Sequence, residues 1–216
     1  MPSGVLPFQP PPADYYEHSR AEVVVRLPRP LGRVLDIGCG AGGVGRTLRA
    51  AGARELVGIE LDPVAAARAR EVFDEVLEGD AEQVVASLDG QFDTICAYDI
   101  LEHLYDPAAV VERLRRLAAP GAHFQVSLPN ARHYSLLADL VIRGTFGYQS
   151  HGHRDVTHLR WFTRRDAERL LRDCGWQVLD TATHELKRSR VLLAALTRGR
   201  STEYIAGQWF VLCHTG

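Results

Sequence analysis

Asp36-Ile37-Gly38-Cys39-Gly40-Ala41-Gly42-Gly43-Val44-Gly45 is the stretch that decides the fold. Ahead of it, Arg33 to Ile37 is a short apolar run, and after it Val44 to Ala51 reads as a helix closed by Gly52. Strand, glycine-rich turn and helix follow one another with no spare residues. Such a turn lets the backbone bend sharply and approach a ligand, and the helix behind it offers free N–H groups.

Working outward, the pattern repeats. Leu56 to Ile59 is a second buried strand. Asp62 and Pro63, a cap and an N1 proline, open a helix to about Phe73. Glu75 to Leu77 is a third strand, with a helix near Glu82 to Leu88, and Phe92 to Tyr98 is a fourth. Asp106 and Pro107 open a helix to Ala118, which Pro120 and Gly121 end, and Ala122 to Leu128 is the fifth strand. Strands alternating with helices at this spacing imply βαβ units and a parallel sheet. Right-handed crossovers then place the strands' C-terminal ends, and any ligand, along one edge.

The rhythm stops after Leu128. Asn130 is expected to cap a helix to about Arg143, with Leu136, Leu137, Leu140 and Val141 on one side. Gly144 to Leu159 reads as a polar, His-rich loop, and Thr163 opens a helix ending near Gly175. Trp176 to Thr181 and Ile205 to Cys213 complete the strands. The fold class is α/β: a Rossmann-like, doubly wound, mostly parallel seven-stranded sheet with an antiparallel last strand and a helical or loop lid inserted after strand 5. The expected division is a leader and cap helix over residues 1–30, a cofactor half over 31–128, the insertion over 129–162 and the sheet's completion over 163–216. Ala13 to Leu27 is read as a short helix within that leader.

Composition narrows the function. The 216 residues carry a net charge of −2 with acids and bases mixed, so nothing resembles a phosphate-tracking basic face, and nucleic acid is not an expected partner. No apolar run is long enough for a bilayer, and the proline-rich first residues lack the blocks of a signal peptide. A cytoplasmic monomer or homodimer is expected. Cys39, Cys96, Cys174 and Cys213 form no CxxC pair and read as free, buried thiols.

Two cofactors could use the turn. Gly40, Gly42 and Gly45 satisfy the GxGxxG of NAD-binding proteins, with Glu60 twenty residues on. Asp36 argues otherwise, since a carboxylate beside the phosphates of NAD would be repelled. Asp36, Gly38, Gly40 and Gly42 resemble the [DE]xGxGxG motif of class I S-adenosylmethionine-dependent methyltransferases. The resemblance implies that Asp36 faces the ammonium and sulfonium end of S-adenosylmethionine and that Glu60 grips both ribose hydroxyls. It implies that Asp80 and Ala81 meet the adenine. Cys39, Leu61, Tyr98 and Asp99 complete the expected cofactor set. Asp62 reads more simply as a cap, and Asp80 has a capping alternative, whereas Asp36 and Glu60 have no comparable structural role.

On the acceptor side, Asp99-Ile100-Leu101-Glu102-His103-Leu104 resembles the segment after strand four in the ubiquinone-pathway O-methyltransferases. There the equivalent acid, Glu and His are associated with a divalent metal. Asp99, Glu102 and His103 suit such an ion, although an ordering role for the cluster is favoured and no metal is assigned. Pro129, Asn130, Asp155, Thr157, His158, Arg160, Phe162 and Thr163 resemble a bacterial subgroup encoded with glycan, lipid or natural-product pathways.

Methyl transfer to a hydroxyl needs a base, and a histidine suits it. His158 is the first candidate, His103 the second and His153 the third. Tyr15, Tyr16, Arg20, Asn130, Tyr148, His151 and Arg160 are the expected acceptor-binding residues. The expectation is O-methylation of a sugar, glycan precursor or natural product. A non-catalytic methyltransferase-like subunit and an NAD-dependent oxidoreductase are the alternatives.

Overall fold

A computed structural model describes residues 20–150, 152–183, 197 and 200–216. Within these, β1 (Arg33–Ile37), β2 (Glu55–Glu60), β3 (Glu75–Glu78), β4 (Phe92–Tyr98), β5 (Ala118–Pro129), β6 (Gln177–Thr183) and β7 (Gln208–His214) form one sheet. Their order is β3-β2-β1-β4-β5-β7-β6. The pairs among β1 to β5 are parallel, and β7 runs antiparallel to both β5 and β6. The expected seven-stranded, doubly wound sheet with an antiparallel last strand is therefore the observed one.

Helices cover both faces. α1 (Ala21–Val24), α2 (Gly43–Ala50) and α3 (Pro63–Ala69) lie on one face, where Val24, Leu48, Ala69 and Phe73 share a core with Val34 and Leu56. α4 (Ala81–Ser87), α5 (Pro107–Leu117) and α7 (Arg164–Asp173) lie on the other, where Val85, Leu114 and Leu171 meet Leu35, Ile95 and Phe124. Strands buried on both faces are why β1, β4 and β5 read as continuous apolar runs. Asp62, Asp106 and Thr163 cap their helices as expected, the last within a capping box. All four cysteines are free and buried.

The inserted segment departs from expectation. Its helix α6 (Tyr134–Ala138) is capped by His133, not Asn130, and then widens into a π-helical turn over Asp139–Arg143. Asn130 is instead fully buried. Its Nδ2 donates to the carbonyls of Glu203 (2.9 Å) and Ala206 (2.8 Å), and its Oδ1 accepts from Arg132 N at 3.0 Å. The extra residue per turn in a π-helix shifts the phase of the face. Leu136 is buried, while Leu140, which an uninterrupted α-helix would place on the same face one turn on, is 41% exposed. β5 also begins earlier than expected, at Ala118, since α5 ends at Leu117 and Pro120 and Gly121 are accommodated in the strand's first residues. A further short helix, α8 (Thr202–Ile205), precedes β7. No helix of the described residues is long and apolar enough to cross a membrane.

Candidate active site

The parallel sheet brings Asp36, Glu60 and Tyr98-Asp99 to the C-terminal ends of β1, β2 and β4, as the alternation requires. The glycine-rich turn is anchored to β2 beside it, with Gly38 N and Cys39 N donating to the Ile59 carbonyl at 2.8 and 3.0 Å. Gly38 sits at φ +73°, and a Cβ there would lie 3.3 Å from Ile100. Gly45 allows α2 to lie on Phe73, whose ring a Cβ would meet at 2.3 Å.

Glu60 has a structural role that sequence reasoning missed. Its Oε2 accepts from Gly40 N (2.8 Å) and its Oε1 from Asp62 N (2.9 Å), so it ties the turn to the start of α3. Each carboxylate oxygen keeps a second lone pair, so the clasp leaves acceptor capacity for a diol. Asp80 caps α4 through Oδ1, accepting from Glu82 N at 2.8 Å. Ala81 begins that helix. Leu61 is largely exposed. Cys39 is part of the core around Phe73 and Leu48, so only its backbone belongs to the turn. Tyr98 likewise turns inward, its hydroxyl donating to Gln125 Oε1 at 2.6 Å. The side chains of both residues are buried in the core.

Asp36 is the decisive group. It is 1% exposed, and its Oδ2 has no hydrogen-bond partner among the described residues. Burial, with the Glu60 charge adding to it, pushes its carboxyl up to about 8. A buried carboxylate oxygen without a partner calls for a cation. An ammonium or sulfonium meets that need and a pyrophosphate does not, so the residues present fit S-adenosylmethionine.

Comparison with known proteins agrees. The methyltransferase domain model matches residues 14–181. The chain belongs to this methyltransferase domain family. The ubiquinone biosynthesis O-methyltransferase of Pseudomonas aeruginosa is 36% identical over 104 residues, covering 45% of this chain and 44% of that relative. The tocopherol O-methyltransferase of Arabidopsis thaliana is 38% identical over 96 residues, covering 41% of this chain and 28% of the relative. The chain thus spans less than half the length of these curated relatives. An S-adenosylmethionine-dependent methyltransferase from Mesorhizobium loti shares the fold with a TM-score of 0.63 at 17% identity, over 94% of this chain and 98% of that one.

The residues expected on the acceptor side gather around the turn after β4. Asp99, at φ +55°, accepts from Ser127 Oγ at 2.8 Å and from Gln208 Nε2, and it is paired with Arg20. Arg20 also donates to Gln208 Oε1 at 3.1 Å, so it is engaged within the chain at both ends of its fork. Asp99 is also absent from the cluster of donors that does form. Among the described residues, Glu102, His103 and His158 bring one donor atom each within 4.8 Å of one another. His158 takes the place expected of Asp99.

Glu102 is buried with neither carboxylate oxygen hydrogen-bonded, and burial, with the Asp99 charge, holds its carboxyl well above the usual range. His158 Nε2 lies 4.0 Å from Glu102 Oε1, its Nδ1 has no partner among the described residues, and burial pulls it down to about 4. His103 stands edge-on to His158, 4.7 Å between ring centroids, and burial lowers it as well.

Of the other expected acceptor residues, Arg160 and Asn130 make hydrogen bonds within the chain. Arg160 donates to the carbonyls of Tyr105 and Leu159 (3.0 Å for the latter), while the backbone N–H groups of Leu159 and Arg160 donate to the Glu102 carbonyl at 2.8 and 3.0 Å. These bonds clip the His-rich loop to the turn after β4. Asn130 is structural, as described above. Tyr148 is half exposed against Phe146. His153 donates through Nε2 to the Gly207 carbonyl and stacks on His133 at 4.7 Å, which makes it a tether for that loop. Tyr15, Tyr16 and His151 lie outside the described residues.

Proposed function

We propose that this chain methylates oxygen on a small hydroxylated acceptor, using S-adenosylmethionine, with a sugar, glycan precursor or natural product as the acceptor class. The observation that carries the reading is the buried Asp36 carboxylate beside a glycine turn, whose Oδ2 has no hydrogen-bond partner among the described residues. Asp36 binds the cationic amino-acid end, Glu60 the ribose hydroxyls, and Asp80 with Ala81 the adenine. Bound S-adenosylmethionine supplies a methyl group already activated by its sulfonium. The chain's own task is then to position the acceptor, exclude water and accept one proton. The preference for oxygen is supported by the printed names of the curated relatives. Glu102 and the histidines beside it supply the polar lining at the acceptor side.

The test is transfer of a labelled methyl group to two probes, 3,4-dihydroxybenzoate and methyl α-rhamnopyranoside. Label in the methyl ether of either supports the reading, and the probe that accepts it separates aromatic from sugar hydroxyls. Cofactor that neither binds nor reacts at near-millimolar concentration would refute it.

A further inference from the structure

The three candidate histidines differ in what holds them. His153 spends its Nε2 on a carbonyl, and His158 has its Nδ1 buried without a partner. His103 alone is gripped from behind by a chain of hydrogen bonds. Its Nδ1 lies 3.3 Å from the Thr157 carbonyl and 3.1 Å from Thr157 Oγ1. That hydroxyl in turn lies 2.7 Å from Asp155 Oδ1, which also accepts from Thr157 N at 2.8 Å. Asp155 is itself buried, at 5% exposure.

Donor and acceptor directions along this chain are fixed by elementary chemistry. A carbonyl oxygen only accepts, and a carboxylate only accepts. Thr157 Oγ1 therefore gives its single proton to Asp155 and offers a lone pair to His103. Both atoms facing Nδ1 are then acceptors, so Nδ1 carries the proton. A neutral imidazole protonated on Nδ1 has its lone pair on Nε2. His103 is half-buried, so this lone pair is not sealed into the core.

We propose that His103, not His158, is the general base for the acceptor hydroxyl, and that Thr157 and Asp155 are its positioning residues. The inference rests on the methyl-transfer reading. In the step, His103 Nε2 takes the acceptor's hydroxyl proton as the oxygen's electron pair forms the bond to the methyl carbon. The electrons of the broken carbon–sulfur bond pass to sulfur, and the imidazolium later releases its proton to solvent. The arrangement is that of a base oriented by a third group behind it. The Asp155 and Asp99 charges also favour the imidazolium that forms, against the burial that disfavours it. Glu102 and His158 face the same ring, and the Arg160 guanidinium lies on the neighbouring Tyr105 carbonyl.

The experiment is a long-range proton–nitrogen correlation spectrum of the full-length chain at pH 7.5 with S-adenosylhomocysteine, the His103 ring being assigned from its loss in His103→Gln. The expected result is a neutral His103 protonated on Nδ1 in the wild type. Thr157→Val keeps the shape of the side chain but removes one of the two acceptors, so the Nε2-protonated form rises; Thr157→Ser restores the original spectrum. With 3,4-dihydroxybenzoate or methyl α-rhamnopyranoside, Thr157→Val lowers kcat about tenfold or more with KM for the cofactor unchanged. A wild-type ring protonated on Nε2, or a spectrum indifferent to Thr157→Val, overturns the proposal. Failure of the methyl-transfer reading looks different: S-adenosylhomocysteine gives no binding heat, whatever the tautomer of His103.

Discussion

Asp36 sets the electrostatics of the proposed cofactor site. With its carboxyl pushed up to about 8, it is mostly protonated at neutral pH in the ligand-free protein. A bound cation favours the ionised form, so cofactor binding at pH 7 releases a proton, and affinity rises with pH until it levels off above about 8. Titration calorimetry in buffers of different ionisation enthalpy measures that proton directly. Equal heats in all buffers at pH 7 would show that Asp36 is already ionised. The same shift bears on stability. Because the folded-state value lies above the ordinary 3.8, the contribution of Asp36 is fully present below that value and is lost as pH rises through about 8. Asp36→Asn, which cannot ionise, is expected to weaken cofactor binding about tenfold or more.

Asp36 is legible in the sequence because a carboxylate ending a buried strand has few structural uses. The second role of Glu60 is not, since Gly40 reaches it only once β1 and β2 are paired. The His103–Thr157 contact joins positions 54 apart and depends on how the inserted loop returns to the sheet.

At the scale of elements, local signals carry β1 to β4 and their helices, because each unit closes on its own neighbour. The inserted segment resists such reading. Asn130 has the residue type of a helix cap, but its side chain is claimed by backbone more than seventy residues away, at Glu203 and Ala206. Asn130→Ala leaves those carbonyls unpaired in a buried setting and should cost about 2–4 kcal/mol. Urea unfolding checks the figure, with S-adenosylhomocysteine affinity expected to stay unchanged; a loss of affinity at full stability would return Asn130 to the binding site. At the helix that carries the turn, Gly45→Ala forces a Cβ against the Phe73 ring. Overpacking of this kind should destabilise by about 1–3 kcal/mol despite the better helix propensity of alanine. Phe73→Leu in the same chain should recover part of that loss, and additive costs in the double variant would contradict the contact.

For the whole molecule, the alternation of strands and helices settles the parallel half of the sheet and the edge on which ligands bind. It says little about β7, which slots between β5 and β6 and places Gln208 on Asp99 beside Arg20. That contact draws the N-terminal helix, the end of β4 and the last strand into one network around the site, a union of distant segments that no local pattern encodes. Ligand binding should therefore stabilise the chain as one unit, by about 2.7 kcal/mol at a hundredfold excess over Kd. The most direct test of the central claim is calorimetric titration of S-adenosylhomocysteine into the intact chain, alongside Asp36→Asn and Glu60→Ala. Saturable binding near one ligand per chain, weakened in both variants, is the predicted result. No binding heat at near-millimolar ligand, or binding that neither substitution weakens, would contradict it.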